Sequence, residues 1–262
     1  MIFGNSSQQA QVLELVRSGT KVLCLAGEPH LGKSSFLREE LPSLASDSDL
    51  LFAPPGADGA REARSFAASE PVHGDFKVLV VEDALRLSDS AQDAYLKLLE
   101  EPPSSLRIVL TAEDPWAMRP AIRSRLRKTV RWGVLSGDEM SSFAETVEPV
   151  DPALITMVHG RPGLYNRAHG KKYYADLVAA VRSVVGGSLH SFMDPVPEAV
   201  DRLAGDVDER SVVSHLCRFA AIASGGSRER VRCVLKFCST LSVPSVNAGV
   251  HWLRMASDLL AL

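Results

Sequence analysis

The sequence predicts an α/β chain: a parallel sheet covered on both faces, then a small helical unit, then a helical C-terminal third. Three observations carry this. Short apolar runs such as "VLCLA", "VLVV" and "LRIVL" alternate with amphipathic stretches through the first half, as strands joined by crossover helices do. The glycine-rich stretch "GEPHLGKSS", Gly27 to Ser35, follows directly on the first of those runs. From Val134 onward the strand pattern gives way to helical spacing broken by proline and glycine, so the sheet is confined to the first half.

The elements follow in order. "QQAQVLELVRSG" is amphipathic and stops at Gly19, and "KVLCLAG" is a short apolar run closed by glycine; these read as a helix and a buried strand. "KSSFLREELPSL" resumes helical spacing after the glycine loop. "LLFAPPGADG" begins as a strand and breaks at Pro54, Pro55 and Gly56. "AREARSFAASE" is a helix and "FKVLVVEDA" a second buried strand. "SDSAQDAYLKLLEEPP" opens on a serine or aspartate cap and ends at a double proline, a well-bounded helix. "LRIVLTAED" is a third apolar strand, and "RPAIRSRLRKTVRW" a short helix running into a last strand. The expected domains are 1–133 for the sheet, 134–170 for the short helices in "LSGDEMSSFAETV", "PALITMVHG" and "RPGLYNRAHG", and 171–262 for a helical bundle. In the bundle, "YYADLVAAVRSVV", "VPEAVDRLAG", "ERSVVSHLCRFAAIA", "SRERVRCVLKFCSTLS" and "VNAGVHWLRMASDLLAL" carry helical periodicity, and "VGGSLHSFMDPVP" reads as a loose connection.

Composition narrows the function classes. An apolar fraction of 45% supports real cores, and 29 basic against 32 acidic residues exclude a polycation, so any nucleic-acid contact needs a local patch or partner subunits. Cys24, Cys217, Cys233 and Cys238 form no CxxC pair; they read as buried, inert thiols of a reducing compartment rather than a zinc site or a disulfide framework. "MIFGNSSQQAQ" lacks the regions of a signal peptide, and no run approaches 18 apolar residues, so a soluble, cytoplasmic protein is expected.

Gly27, Gly32, Lys33 and Ser34 fit G-x-x-x-x-G-K-[ST] between a strand and a helix. In that setting glycines turn backbone N–H groups inward to phosphate oxygens, and the helix adds its positive end. The expected nucleotide site is thus Gly27, Glu28, Pro29, His30, Leu31, Gly32, Lys33, Ser34 and Ser35. Lys33 would reach the β- and γ-phosphates of ATP, and Ser34 would coordinate Mg²⁺. At the end of the neighbouring strand, "VLVVEDA" offers Glu82 and Asp83. They read as the acidic pair that holds the Mg²⁺ shell (Glu82) and orients water (Asp83), or else as ordinary strand-end polar residues.

The block "VVEDALRLSDSAQDAYLKLLEEPPSSLRIVLTAEDPWAMRPAIRSRLRK" resembles the AAA+ core of bacterial clamp-loader subunits, especially the delta-prime subunit of DNA polymerase III and its gamma/tau relatives. The helix "AYLKLLEEPP", the strand "IVLTAEDP" and "IRSRL" come in the family's order and near its spacing. With the phosphate loop and "FGN" the resemblance covers about 1–133, and "LSGDEM…HGRPGLYNRA", similar to the family's lid, extends it to about 170.

The resemblance implies an AAA+ domain, a lid and a helical collar in a hetero-oligomeric ring that loads a sliding clamp onto primer-template DNA, with no membrane role. Thr111 matches the sensor-1 position, which senses the γ-phosphate. Arg125 in "SRL" matches the arginine that acts in trans on a neighbouring subunit's ATP; the bland alternative is a solvated basic helix, since Arg119, Arg123, Arg127, Lys128 and Arg131 surround it.

Several features depart from the family. The acids run Glu82–Asp83 where the usual order is Asp then Glu, and a carboxylate misplaced by about an ångström can cost around a hundredfold in rate. Leu126 stands in place of cysteine, and no four-cysteine module lies between the loop and "VLVVEDA". Gly163 falls at or next to the place of the family's sensor-2 arginine; Arg161 or Arg167 could substitute, but neither matches the position. The short chain points to a reduced or phage version.

Two readings stay open. One is a delta-prime-like subunit that binds ATP and donates Arg125, hydrolysis arising only in the assembled complex; the other is a fully hydrolysing clamp-loader motor. A stand-alone P-loop ATPase such as a helicase loader is a third, which an arginine aimed at another subunit disfavours. Trp252, Leu253, Met255, Leu259 and Leu260 are expected to be offered partly to a neighbouring collar, or else to pack within an ordinary bundle of this chain.

Overall fold

The computed structural model describes residues 3–54, 56–186, 207–241 and 248–260. The chain divides into two compact units, Met1–Met140 and Ser141–Leu262.

The first unit runs α1 (Ser6–Arg17), β1 (Val22–Ala26), α2 (Lys33–Glu40), β2 (Leu50–Ala53), α3 (Ala57–Ala68), β3 (Lys77–Val81), α4 (Asp89–Glu100), β4 (Leu106–Ala112), α5 (Pro120–Arg123) and β5 (Lys128–Arg131). The strands form one all-parallel sheet in the order β2-β3-β4-β1-β5. Strands β1 and β3 are buried along their whole length, so both faces are apolar rather than one. Alternation sorts them: Cys24, Leu79, Val81, Ile108 and Leu110 face a core completed by Ala60 and Ala63 of α3 and Tyr95, Leu98 and Leu99 of α4. Leu23, Leu25, Val78, Val80 and Val109 face the opposite core, completed by Val12 and Val16 of α1 and Phe36 and Leu37 of α2. Burial pushes the Cys24 thiol up to about 12.

Local chemistry sets the helix ends. The Ser88 hydroxyl accepts the Ala91 N–H at 3.3 Å to start α4, and Pro102 and Pro103 prevent its continuation. Spacing on α4 places Ala91, Tyr95, Leu98 and Leu99 on one buried face. Ser136 and Glu139 form a reciprocal capping box before α6 (Gly137–Ala144): Glu139 Oε2 accepts the Ser136 N–H at 2.8 Å and Ser136 Oγ accepts the Glu139 N–H at 3.3 Å.

The second unit contains α7 (Pro152–Val158), α8 (Pro162–Ala168), α9 (Lys172–Val185), α10 (Val207–Ala223), α11 (Arg228–Leu241) and α12 (Ala248–Leu260). Asp151 caps α7 by accepting the Leu154 N–H at 3.0 Å. Helix α10 packs against α9 and α11, and α11 against α12. The Phe237 and Trp252 rings meet edge-on at 5.2 Å.

One expectation is corrected here. Trp252, Met255 and Leu259 are buried inside the unit rather than held out to a neighbour; helical periodicity identifies an apolar face, but the partner for this one lies on α11 of the same chain. The side chains of Leu253 and Leu260 lie outside the described residues, as do the expected helix "VPEAVDRLAG" and the connection from Gly187 onward.

Candidate functional site

Because the five strands are parallel, their C-terminal ends share one edge, the usual place for a ligand in an open α/β sheet. Ala26 leads there into the phosphate loop, Val81 into Glu82 and Asp83, and Ala112 into Glu113, while Thr111 lies in register with Leu25. The loop turns on left-handed backbone at His30 (φ 65°) and Gly32 (φ 90°). At Gly32 open space surrounds the missing Cβ, so the requirement for glycine is conformational rather than steric. Gly32 is the N-cap residue of α2, whose first turn closes through the Phe36 N–H to the Gly32 carbonyl at 2.9 Å.

Lys33 is 8% exposed, and its ammonium donates to the carbonyls of Gly27 at 2.6 Å and Glu28 at 2.7 Å. Burial lowers its pKa, and the nearby carboxylates of Asp83, Glu113 and Glu28 act in the opposite direction. The loop thus holds a desolvated cation among its own carbonyls, faced by carboxylates. Such a cation is a point charge for phosphate oxygens.

The two acids behave differently. Asp83 adopts φ 48°, and its backbone N–H donates to Thr111 Oγ1 at 2.9 Å; this bond ties the ends of β3 and β4 together. Thr111 is buried, and its hydroxyl keeps a proton to donate. Glu82, the acid expected to hold the metal, is paired with Arg38 of α2. Asp83 Oδ2 is in turn paired with Arg86 Nε at 3.9 Å, and its charge also bears on Lys33. Ser34 is half-buried and Ser35 exposed at the start of α2. Sequence reasoning missed Glu113, which its place two residues after Thr111 signals, and the Arg38–Glu82 pair, which joins positions 44 residues apart and leaves no local trace.

The residues present fit a magnesium-bound nucleoside triphosphate. Loop N–H groups and the α2 N-terminus suit phosphate oxygens, Lys33 supplies charge, and the Ser34 hydroxyl with a strand-end carboxylate suits Mg²⁺. When bound, the metal would neutralise charge on the phosphoryl oxygens.

Arg125 lies at the other edge of the sheet. It follows α5 and precedes β5, and the next N–H but one, that of Arg127, donates to the carbonyl of Val22 at the start of β1 at 3.0 Å. The length of β1, about 16 Å for its five residues, separates that edge from the phosphate loop. The Arg125 guanidinium, 39% exposed, donates through Nη2 to Glu100 Oε1 at the end of α4 at 2.7 Å. A second pair, Arg119 to Asp93 at 2.7 Å, holds the preceding segment to the same helix. In the second unit Arg161 is buried, with its guanidinium 4.7 Å from the Phe219 ring centre and Nη1 on the His159 carbonyl at 3.1 Å; these contacts make it a core residue there.

Residues 56–130 match the family model described as "DNA polymerase III, delta subunit". Over that stretch, less than a third of the chain, the sequence is similar to DNA polymerase III subunits. The matched stretch contains Glu82, Asp83, Thr111 and Arg125 and begins after the phosphate loop. The chain is 36% identical over 70 residues to the DNA polymerase III subunit gamma/tau of Mycobacterium tuberculosis, covering 27% of this chain and 12% of that protein. To the delta-prime subunit of DNA polymerase III from Escherichia coli it is 38% identical over 72 residues, covering 28% of this chain and 22% of that one. The likeness to these relatives thus spans less than a quarter of their length. The gamma subunit-related protein of Thermotoga maritima shares the fold across nearly the whole chain, with a TM-score of 0.61 at 16% identity over 96% of this chain and 98% of the other. Among the described residues no helix is long and apolar enough to cross a membrane.

Proposed function

We propose that the chain binds ATP with Mg²⁺ at Gly27–Ser35 and works as one subunit of a sliding-clamp loader. In that reading it lends Arg125 to the ATP site of an adjacent subunit and takes part in placing the clamp on primer-template DNA. Residues 134–170 act as the lid and 171–262 as the collar. The observation that carries the reading is the position of Arg125: half-exposed, forked and charged, it stands a strand's length from its own phosphate loop, so the phosphate it can serve belongs to another chain. The reading of a self-sufficient motor draws on the intact loop and on Asp83 near Lys33. Against it, both acids are held by arginines of this chain, Glu82 by Arg38 and Asp83 by Arg86.

The test is a complex of the cognate clamp-loader subunits carrying Arg125→Ala in this chain alone. ATP affinity of the isolated chain is expected to be unchanged, while DNA- and clamp-stimulated hydrolysis by the complex falls at least about tenfold, roughly 1.4 kcal/mol of transition-state stabilisation. Arg125→Lys restores little, because an ammonium lacks the planar fork. Full activity of the Arg125→Ala complex would reduce Arg125 to a charge on a solvated surface.

A further inference from the structure

Directly after β5 stands Trp132, a residue that no nucleotide motif includes. It is 3% exposed and touches the phosphate loop at three successive places. Its backbone N–H donates to the carbonyl of Ala26, the residue that leads into the loop, at 2.6 Å. Its carbonyl oxygen would lie only 2.5 Å from a Cβ built on Gly27, so the first glycine of the loop is required by Trp132 and not by phosphate alone. Its indole N–H donates to the carbonyl of Leu31, in the middle of the loop, at 3.0 Å in a buried bond across 101 positions. The ring also packs against Phe36 of α2 with centroids 4.9 Å apart.

The tryptophan is itself held from behind. Asn5 exchanges two hydrogen bonds with the next residue: its side-chain nitrogen donates to the Gly133 carbonyl at 3.0 Å and its oxygen accepts the Gly133 N–H at 2.8 Å. Among the side-chain hydrogen bonds of the described residues, the Leu31 carbonyl is served by the indole. Without that donor it would be a buried acceptor free to turn into the loop, where it would face phosphate oxygens with like partial charge.

We propose that Trp132 is a positioning residue of the nucleotide site: its indole fixes the Leu31 carbonyl outward, so that the Gly27–Gly32 backbone presents N–H groups to the phosphates of a nucleoside triphosphate, and Asn5 holds the tryptophan in place. The inference rests on the nucleotide reading of the loop.

Calorimetric titration of the full chain with MgATP tests it, using Trp132→Phe, Asn5→Ala, Trp116→Phe and Lys33→Ala. Trp132→Phe keeps an aromatic ring against Phe36 and removes the donor; its Kd is expected to rise about tenfold. Asn5→Ala, at the surface, gives a smaller rise of about threefold, and it decides the matter if Trp132→Phe fails to fold. Trp116, 68% exposed, serves as the control, and its variant binds like the parent. A spectroscopic arm separates positioning from general destabilisation: MgATP changes the tryptophan emission of the parent and of Trp116→Phe, and that change is lost in Trp132→Phe. If the parent binds, Lys33→Ala does not, and both Trp132→Phe and Asn5→Ala bind like the parent, the positioning role is overturned while the nucleotide site stands. If the parent itself fails to bind MgATP, the nucleotide reading falls and this inference with it.

Discussion

The two edges of one sheet are built on opposite principles. At the C-terminal edge the charged group is buried and its partners are backbone: Lys33 rests on the carbonyls of Gly27 and Glu28, and Thr111 ties Asp83 through its N–H. At the N-terminal edge the charged group is half-exposed and its partner is another surface side chain, since Arg125 rests on Glu100. Backbone partners cannot swing away, so the first edge has a fixed geometry suited to receiving a ligand. An exposed ion pair is worth only about 0–1 kcal/mol, so in the proposed function little holds Arg125 back from a stronger anion outside the chain. The proposed roles of the two edges are separated by the length of β1.

Four substitutions break or sharpen that contrast. The largest effect is expected from Lys33→Ala, which removes the buried cation: MgATP affinity of the isolated chain, read by calorimetry, falls about a hundredfold or more, and unchanged affinity would leave the fixed edge without a ligand. Next comes the acidic pair. Asp83→Asn is expected to lower hydrolysis by the assembled complex roughly tenfold or more, whereas Glu82→Gln, which mainly releases Arg38, lowers it less than about threefold. The reverse ranking in steady-state assays would return the leading role to Glu82. The smallest effect belongs to Glu100→Gln: it weakens the hold on Arg125 and is expected to change stimulated hydrolysis about threefold or less while leaving this chain's ATP affinity alone. A loss as deep as that of Arg125→Ala would mean that the donating edge is as rigid as the receiving one.

What could be read from the sequence follows from how local each signal is. Gly27 to Ser35 declares itself because all its parts are consecutive, and the ends of α4 because Ser88 and Pro102–Pro103 act on their immediate neighbours. The parallel sheet was legible because strands such as "VLVV", buried on both faces, must be apolar throughout. The fate of Glu82 was not, since its partner Arg38 comes from another element and its charge matches several arginines equally well on paper. Trp132 was hidden for the same reason: the carbonyl it serves is 101 positions away, and a tryptophan after a strand reads as ordinary core. The inward turn of Trp252 depends on Phe237, which periodicity could not pair with it.

The cysteines give the two units a chemistry of their own. Cys24 is sealed in the sheet of the first unit, while Cys217 and Cys238 are buried in the second. Burial raises the Cys24 thiol pKa, and a hydrogen bond with Cys238, then burial, raise that of Cys217. A thiol of this kind is silent toward alkylating reagents until the structure around it opens. Each unit therefore carries its own timer, and the rates at which these thiols are trapped measure the opening of the two halves of the chain separately. A ligand bound at the phosphate loop is expected to slow trapping at Cys24 more than at Cys217 or Cys238.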